Sequence, residues 1–112
     1  MVKSLENTDY SMAVIQPNGA INAANAAGFQ ERLITSLATS ETGLLVDMSA
    51  VDFLDSAGLA ALVAALRTAR HSNKQLTLCA VPPSLKIVFE LTQLDRAFKV
   101  LEVRPEQAAI AA

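Results

Sequence analysis

The chain has 112 residues, of which 52% are hydrophobic, and a formal net charge of −2. This length suits one domain with a real core and is too short for two. Only 4% of the residues are aromatic, none is tryptophan, and lysine and arginine are scattered along the chain. The sequence therefore lacks the basic stripe and the stacking surface of a nucleic-acid-binding protein.

The cysteine content and the lengths of the apolar runs argue against a disulfide-bonded, secreted or membrane-spanning protein. The single cysteine, Cys79, excludes an intrachain disulfide and a cysteine-based zinc site, and its apolar neighbours predict a buried residue. The N-terminus lacks the apolar segment of a signal peptide. The longest near-continuous apolar stretch, residues 57–66, stops far short of the ~20 residues that a membrane span requires. We expect a cytoplasmic protein with no membrane insertion, cofactor or metal.

The pattern of apolar residues predicts a single α/β domain. Strands are predicted over residues 10–16, 43–49, 76–81 and 98–103, and helices over residues 23–38, 56–70 and 84–92. A strand, a helix of about four turns and a second strand form a right-handed crossover with parallel strands. Residues 1–9 are a candidate edge strand, and residues 105–112 are expected to form a frayed tail.

The most informative segment is residues 44–59. An apolar run ends there, a short loop follows, and the sequence Asp-Ser-Ala-Gly-Leu opens an alanine-rich helix. This order places the hydroxyl of Ser56 at a helix N-terminus, beside Asp55 and just past the carboxyl end of a strand. Three roles for Ser56 are open at this point: modification, contact with a partner protein, or ordinary capping of the helix.

The helix that follows Ser56 has two contrasting faces. Four aliphatic residues at helical spacing predict the core-facing stripe: Leu59, Leu62, Val63 and Leu66. The opposite face is small and uncharged, and consists of Ala57, Ala61, Ala64 and Thr68. A smooth face of this kind indicates a docking surface. Alanine is also the best helix former, so the pattern leaves both interpretations open.

Catalysis by Ser56 would require a positioned base. The sole histidine, His71, lies at the far end of the same helix, which for 15 residues is about 22 Å long. Asp47, Asp52 and Asp55 form an acidic rim, but aspartates at strand ends and in loops are more often caps than metal ligands. We therefore do not expect an enzyme.

Phosphorylation of Ser56 fits the sequence better than catalysis by Ser56. A phosphate adds about −1.5 to −2 charges and three acceptor oxygens. The helix macrodipole offsets about 0.3–1 kcal/mol of the cost at that position, so we expect the fold to survive. A partner surface shaped for a neutral hydroxyl must desolvate the dianion, and a complex of about 1 µM affinity has only about 8 kcal/mol to lose.

Two segments, residues 45–59 and residues 79–95, resemble the signature of STAS domains. More narrowly, they resemble bacterial anti-sigma factor antagonists. The first segment carries the Asp-Ser-Ala-Gly-Leu sequence, and the second carries a helix after a Pro-Pro pair. Residues 19–22 occupy the place of the family's Gly-x-Leu-Asp. The resemblance covers about residues 4–104, in order and with family-like spacing.

The resemblance implies a mixed four- to five-stranded sheet flanked by helices, and a partner-switching mechanism. The unphosphorylated protein binds a kinase-type anti-sigma factor, which releases its sigma factor. That kinase then phosphorylates the serine with ATP, which ends the interaction. A PP2C-type phosphatase removes the phosphate and restores the binding form. We expect the protein to be a monomer or a weak homodimer. Ser56 matches the phosphorylated serine. The residues expected to bind the partner are Asn22, Asp55, Ser56, Ala57, Gly58, Leu59 and Ala61.

The sequence departs from the family pattern at two positions. Asn22 stands where an aspartate is usual, which removes a charge from the loop that faces the partner. Ala57 stands where a serine is frequent, which leaves one phosphorylatable hydroxyl instead of two. An alternative from the same family is a scaffold subunit of a lipid-transport or sensory complex that is not phosphorylated. The intact Asp-Ser-x-Gly-Leu sequence favours the switch.

Overall fold

The computed structural model describes residues 12–102, so the candidate edge strand over residues 1–9 and the expected tail over residues 105–112 lie outside the described residues. The strands of the described part are β1 (Met12–Ile15), β2 (Gly19–Ile21), β3 (Gly43–Asp47), β4 (Val51–Leu54), β5 (Gln75–Cys79) and β6 (Lys99–Leu101). The helices are α1 (Ala26–Thr39), α2 (Ser56–His71) and α3 (Pro83–Leu91), followed by a 3₁₀ turn, Leu94–Arg96.

The strands form two sheets. One sheet has four strands in the order β1-β3-β5-β6, and the other consists of β2 and β4. All pairings within residues 12–102 are parallel, and helices supply the crossovers that parallel neighbours need. The predicted α/β class is confirmed. The sequence interpretation was wrong for residues 51–54, which form β4 instead of a loop, and it missed the short strand β2.

Strand β3 is the centre of the larger sheet. All five of its residues are buried, as expected for a strand that is covered on both faces. Its first residue, Gly43, lies so close to β5 that a Cβ atom there would overlap the carbonyl oxygen of Gln75. Cys79 at the end of β5 is buried, as the sequence predicted.

Helices α1 and α2 complete the core. Leu33 and Leu37 of α1 and Leu62 of α2 are at most 1% exposed, and they share one cluster with Leu44 and Val46 of β3. Burying each leucine contributes about 1.5–3 kcal/mol. No helix in the described part of the chain combines the length and the hydropathy needed to cross a membrane.

The buried face of α2 differs from the one predicted. Leu59 and Val63 are only partly buried, whereas the buried residues are Gly58, Ala61, Leu62, Ala65, Leu66 and Ala69. Helix α2 packs against α1, β4 and β5, and small side chains let neighbouring backbones approach closely. The helix is therefore rotated so that part of the alanine face, not the full leucine stripe, lies in the core.

Candidate functional site

Ser56 is the first residue of α2 and is exposed. The helix is capped by the preceding residue, because Oδ1 of Asp55 accepts hydrogen bonds from the backbone N–H groups of Ala57 (2.9 Å) and Gly58 (3.0 Å). Within residues 12–102 the hydroxyl of Ser56 has no hydrogen-bond partner. Ordinary capping is thus assigned to Asp55, and the Ser56 hydroxyl is left free at the surface.

Asp55 also ties the loop that contains Asn22 to the start of α2. Its Oδ2 accepts a hydrogen bond from the backbone N–H of Ala23 (3.1 Å), and its own N–H donates to the carbonyl of Ile21 (3.1 Å). One carboxylate therefore holds two chain segments that are far apart in sequence. The structure brings Asn22 and Ser56 to the same edge of the molecule.

The side chain of Asn22 shapes its own loop. Its Oδ1 accepts a hydrogen bond from the backbone N–H of Ala24 (2.9 Å), and its backbone N–H donates to Oδ1 of Asn25 (2.9 Å). An aspartate could accept the first of these bonds equally well. The asparagine therefore removes a negative charge from the loop but keeps the hydrogen bond that an aspartate would accept there.

Gly58 is required by close packing beneath the site. A Cβ atom at this position would lie 2.6 Å from Cδ1 of Leu54 and 2.9 Å from Cγ2 of Ile21. Both distances are shorter than real Cβ contacts, and the carbonyl oxygen of Ile21 would lie 3.0 Å away, so the two side chains or α2 itself would have to shift. The glycine of the motif thus fixes where the N-terminus of α2, and with it Ser56, lies.

Ala61 requires a correction. It was expected to contact the partner, but it is only 1% exposed. Gly58 is buried as well, so its contribution to a docking surface is indirect. Ala57 and Leu59 are half-buried and remain accessible in part. The burial of Ala61 follows from the rotation of α2, which turns part of the alanine face towards the core.

An apolar groove of about 400 Å³ begins at Ser56 and runs along the outer face of α2. It is lined by Ser56, Leu59, Ala60, Val63, Ala64, Arg67 and Leu94. We call this surface the α2 groove. Phe53 on β4, three residues before Ser56 in the chain, is 53% exposed, although it is large and hydrophobic. Aromatic side chains, phenylalanine included, are enriched in protein interfaces.

The sequence interpretation missed several residues of this surface. Ala60, Val63 and Arg67 follow Ser56 at helical spacing, so the periodicity would have found them once the exposed face was placed correctly. Leu94 comes from the 3₁₀ turn after α3. No local pattern could have assigned it to the groove, because only the tertiary fold brings it to α2.

The acidic rim forms no metal centre in the described residues, which contain no group of three His, Cys, Asp or Glu side chains placed to hold a metal ion. Asp47 is buried, and its carboxylate accepts hydrogen bonds from the backbone N–H of Ser49 (3.0 Å) and from Nε2 of Gln16 (3.3 Å). Asp52 is exposed on β4. His71 ends α2, far from Ser56.

A larger open depression of about 620 Å³ lies between the β1–β2 connection and α1. Two polar side chains in its wall are already used within the protein. Gln16 donates to Asp47, and Nδ2 of Asn25 donates to the carbonyl of Ala20 (2.9 Å). We favour the α2 groove as the functional surface, because it joins the exposed Ser56 hydroxyl to accessible apolar side chains.

A family model places the chain among known proteins. The model of the STAS domain matches residues 4–107. The chain belongs to the STAS domain family. The resemblance read from the sequence is therefore confirmed, and the match includes the Asp-Ser-Ala-Gly-Leu segment, Asn22 and the whole of the α2 groove.

Individual STAS proteins are similar along most of the chain. BtrV of Bordetella bronchiseptica, described as an anti-sigma factor antagonist, is 29% identical over 91 residues, which cover 81% of this chain and 78% of BtrV. A Thermotoga maritima structure with the same description has a TM-score of 0.79 and 24% identity, covering 90% of this chain and 86% of its own. The structure of the antagonist SpoIIAA in its unphosphorylated form has a TM-score of 0.68 and 16% identity, with coverages of 90% and 87%. Anti-sigma factor antagonists are thus among this chain's relatives.

Proposed function

We propose that the protein is an anti-sigma factor antagonist that binds a kinase-type anti-sigma factor while Ser56 is unmodified. The kinase phosphorylates Ser56 with ATP and thereby ends the complex, and a PP2C-type phosphatase restores the binding form. The observation that carries this proposal is the exposed hydroxyl of Ser56. Asp55 caps α2 in its place, and Ser56 lies at the start of the α2 groove.

A phosphate on Ser56 leaves the fold intact in this proposal. The hydroxyl makes no hydrogen bond within residues 12–102, so its modification breaks none there. The positive end of the α2 dipole favours an anion by about 0.3–1 kcal/mol. The carboxylate of Asp55 opposes it, but Asp55 stays bonded to Ala57 and Gly58. The two effects oppose each other, so we expect a small net change in stability.

The same phosphate prevents docking. The dianion would lie at the end of an apolar groove next to the carboxylate of Asp55, so a partner must desolvate it against groups shaped for a neutral hydroxyl. A complex of about 1 µM affinity has about 8 kcal/mol in total. Losing several kcal/mol of that, as a buried unpaired charge does, separates the two proteins.

The relatives support regulation by phosphorylation. BtrV and SpoIIAA are both described as anti-sigma factor antagonists, and the description of SpoIIAA distinguishes an unphosphorylated form. Within residues 12–102 no histidine lies within reach of Ser56, since His71 is at the opposite end of α2. The chemistry therefore belongs to the kinase, and this chain acts as its substrate and ligand in the cytoplasm.

The test is an incubation with ATP and each kinase-type anti-sigma factor encoded in the source genome. Intact mass and fragment mapping are expected to show a single phosphate on Ser56 with the cognate kinase. Ser56→Ala should bind that kinase without being phosphorylated, and Ser56→Asp should not bind. A partner that binds wild type and Ser56→Asp equally would refute the switch and favour a scaffold role, and labelling of Ser56 by a fluorophosphonate would point to an enzyme.

A further inference from the structure

The α2 groove changes character along its length. Ser56 at its start is neutral, Leu59 and Val63 give it an apolar floor, and Arg67 closes it. Arg67 also lines a second depression of about 300 Å³, which it shares with Arg70 and His71. One exposed arginine thus connects the apolar floor to a cationic patch. The surface is polarised even though the whole chain has a net charge of −2.

Stabilisation of the helix does not account for Arg67. Cations near the C-terminus of a helix interact with its dipole, but only within about the last turn. Arg70 and His71 are in that turn, and Arg70 also donates a hydrogen bond to the carbonyl of Ala97 (3.0 Å). Arg67 lies one turn earlier, is exposed, and has no acidic partner among residues 12–102. Its guanidinium donors are free to bind a group from outside.

The spacing of the two ends defines what can dock. Ser56 and Arg67 are eleven positions apart on α2, which corresponds to about 16 Å along the helix axis. That is about two Debye lengths at physiological ionic strength. A phosphate on Ser56 is therefore not neutralised by Arg67, and the two groups act independently.

We propose that the segment of the anti-sigma factor that lies along α2 has an apolar face and a carboxylate that binds Arg67, about 16 Å from the atoms that face Ser56. This inference rests on the proposed function, because it assigns the chemistry of the partner at the same surface. The carboxylate pairs with the planar guanidinium, which is the donor group best matched to it. Arg70, which lines the neighbouring depression together with Arg67, strengthens the local positive potential that attracts it.

The location of Arg67 predicts how the contact behaves. It lies at the open end of the groove, where charges act mainly on the association rate and on the salt dependence. Reversing the charge should therefore weaken binding at low salt and flatten the salt dependence. Arg32 provides a matched control, because it is an exposed arginine on α1 that does not line the α2 groove.

The experiment measures the dissociation constant of the cognate anti-sigma kinase with ADP, so that no phosphate is transferred. Wild type, Arg67→Glu, Arg32→Glu and Ser56→Asp are compared at 50 and 500 mM NaCl. Arg67→Glu is expected to bind about tenfold more weakly than wild type at the lower salt, with the difference shrinking at the higher salt. Arg32→Glu should stay within about twofold of wild type.

The outcomes separate this inference from the proposed function. If Arg67→Glu binds like wild type while Ser56→Asp does not bind, the carboxylate contact is refuted and the switch stands. If Ser56→Asp binds like wild type, or no anti-sigma kinase binds at all, the proposed function fails as well. Sedimentation of the protein alone tests whether a second copy of the chain occupies the α2 groove. A dimer that Arg67→Glu dissociates would show this and overturn the inference.

Discussion

Gly58 and Gly28 provide a matched test of how the Asp-Ser-Ala-Gly-Leu segment is positioned. Each is the third residue of its helix, Gly58 in α2 and Gly28 in α1. A Cβ atom at Gly58 would meet Leu54 and Ile21 below 3.0 Å, whereas one at Gly28 would find nothing within 4 Å. Both substitutions to alanine gain the same helix propensity. The difference between their free energies of unfolding therefore measures the steric cost at Gly58.

The magnitudes follow from two opposing effects. Replacing glycine by alanine in a helix stabilises it by about 0.8–1 kcal/mol. Overpacking a tight site costs about 1–3 kcal/mol. Gly28→Ala should thus raise the free energy of unfolding by up to about 1 kcal/mol. Gly58→Ala should lower it by up to about 2 kcal/mol, which corresponds to a fall in Tm of up to about 8 °C in a domain of this size.

The assay is urea unfolding followed by far-ultraviolet circular dichroism, with both variants measured beside wild type. The decisive quantity is the difference between the two variants, since it cancels the shared propensity term. We expect Gly58→Ala to be less stable than Gly28→Ala by about 1–3 kcal/mol. Equal stabilities would show that the contact between α2 and the β2–β4 sheet is looser than the structure has it, and the argument for the placement of Ser56 would fall.

Three further substitutions test the N-cap of α2 and the assigned core. Asp55→Ala removes the acceptor for two N–H groups of α2 and for that of Ala23, and should lower the free energy of unfolding by about 1–2 kcal/mol in the same urea assay; a loss below about 0.3 kcal/mol would contradict the capping role. Leu62→Ala empties a site that is 0% exposed and should cost about 2–5 kcal/mol. Leu91→Ala, at 80% exposure, should stay within about 0.5 kcal/mol of wild type by thermal unfolding, and similar losses in the two leucine variants would refute the assigned core.

The fold was predictable where the sequence signal is long or chemically specific. Strand β3 is apolar from Gly43 to Val46 before its acidic end, and the start of α2 is marked by an aspartate that proves to be its N-cap. Strands β2 and β4 have three and four residues. Segments so short carry too few residues for a period-two pattern, and their pairing depends on where α2 and the sheet hold them.

The candidate site was predictable at one end only. The Asp-Ser-Ala-Gly-Leu sequence located Ser56 and the family resemblance located Asn22, and both lie at one edge of the structure. The placement of Ala61 at the surface was wrong, because leucine periodicity cannot show which of two apolar faces packs against α1. Leu94 joins the groove from a distant segment, and only the tertiary fold could reveal it.

The most direct test of the central claim compares the affinity of the cognate anti-sigma kinase for two forms of this protein. One is unmodified, and the other is phosphorylated on Ser56 to completion, as verified by intact mass. Calorimetry with ADP should give a dissociation constant at least about 100-fold weaker for the phosphorylated form, which is a loss of about 2.7 kcal/mol. Its urea unfolding curve should match that of the unmodified form. Equal affinity of the two forms would contradict the account.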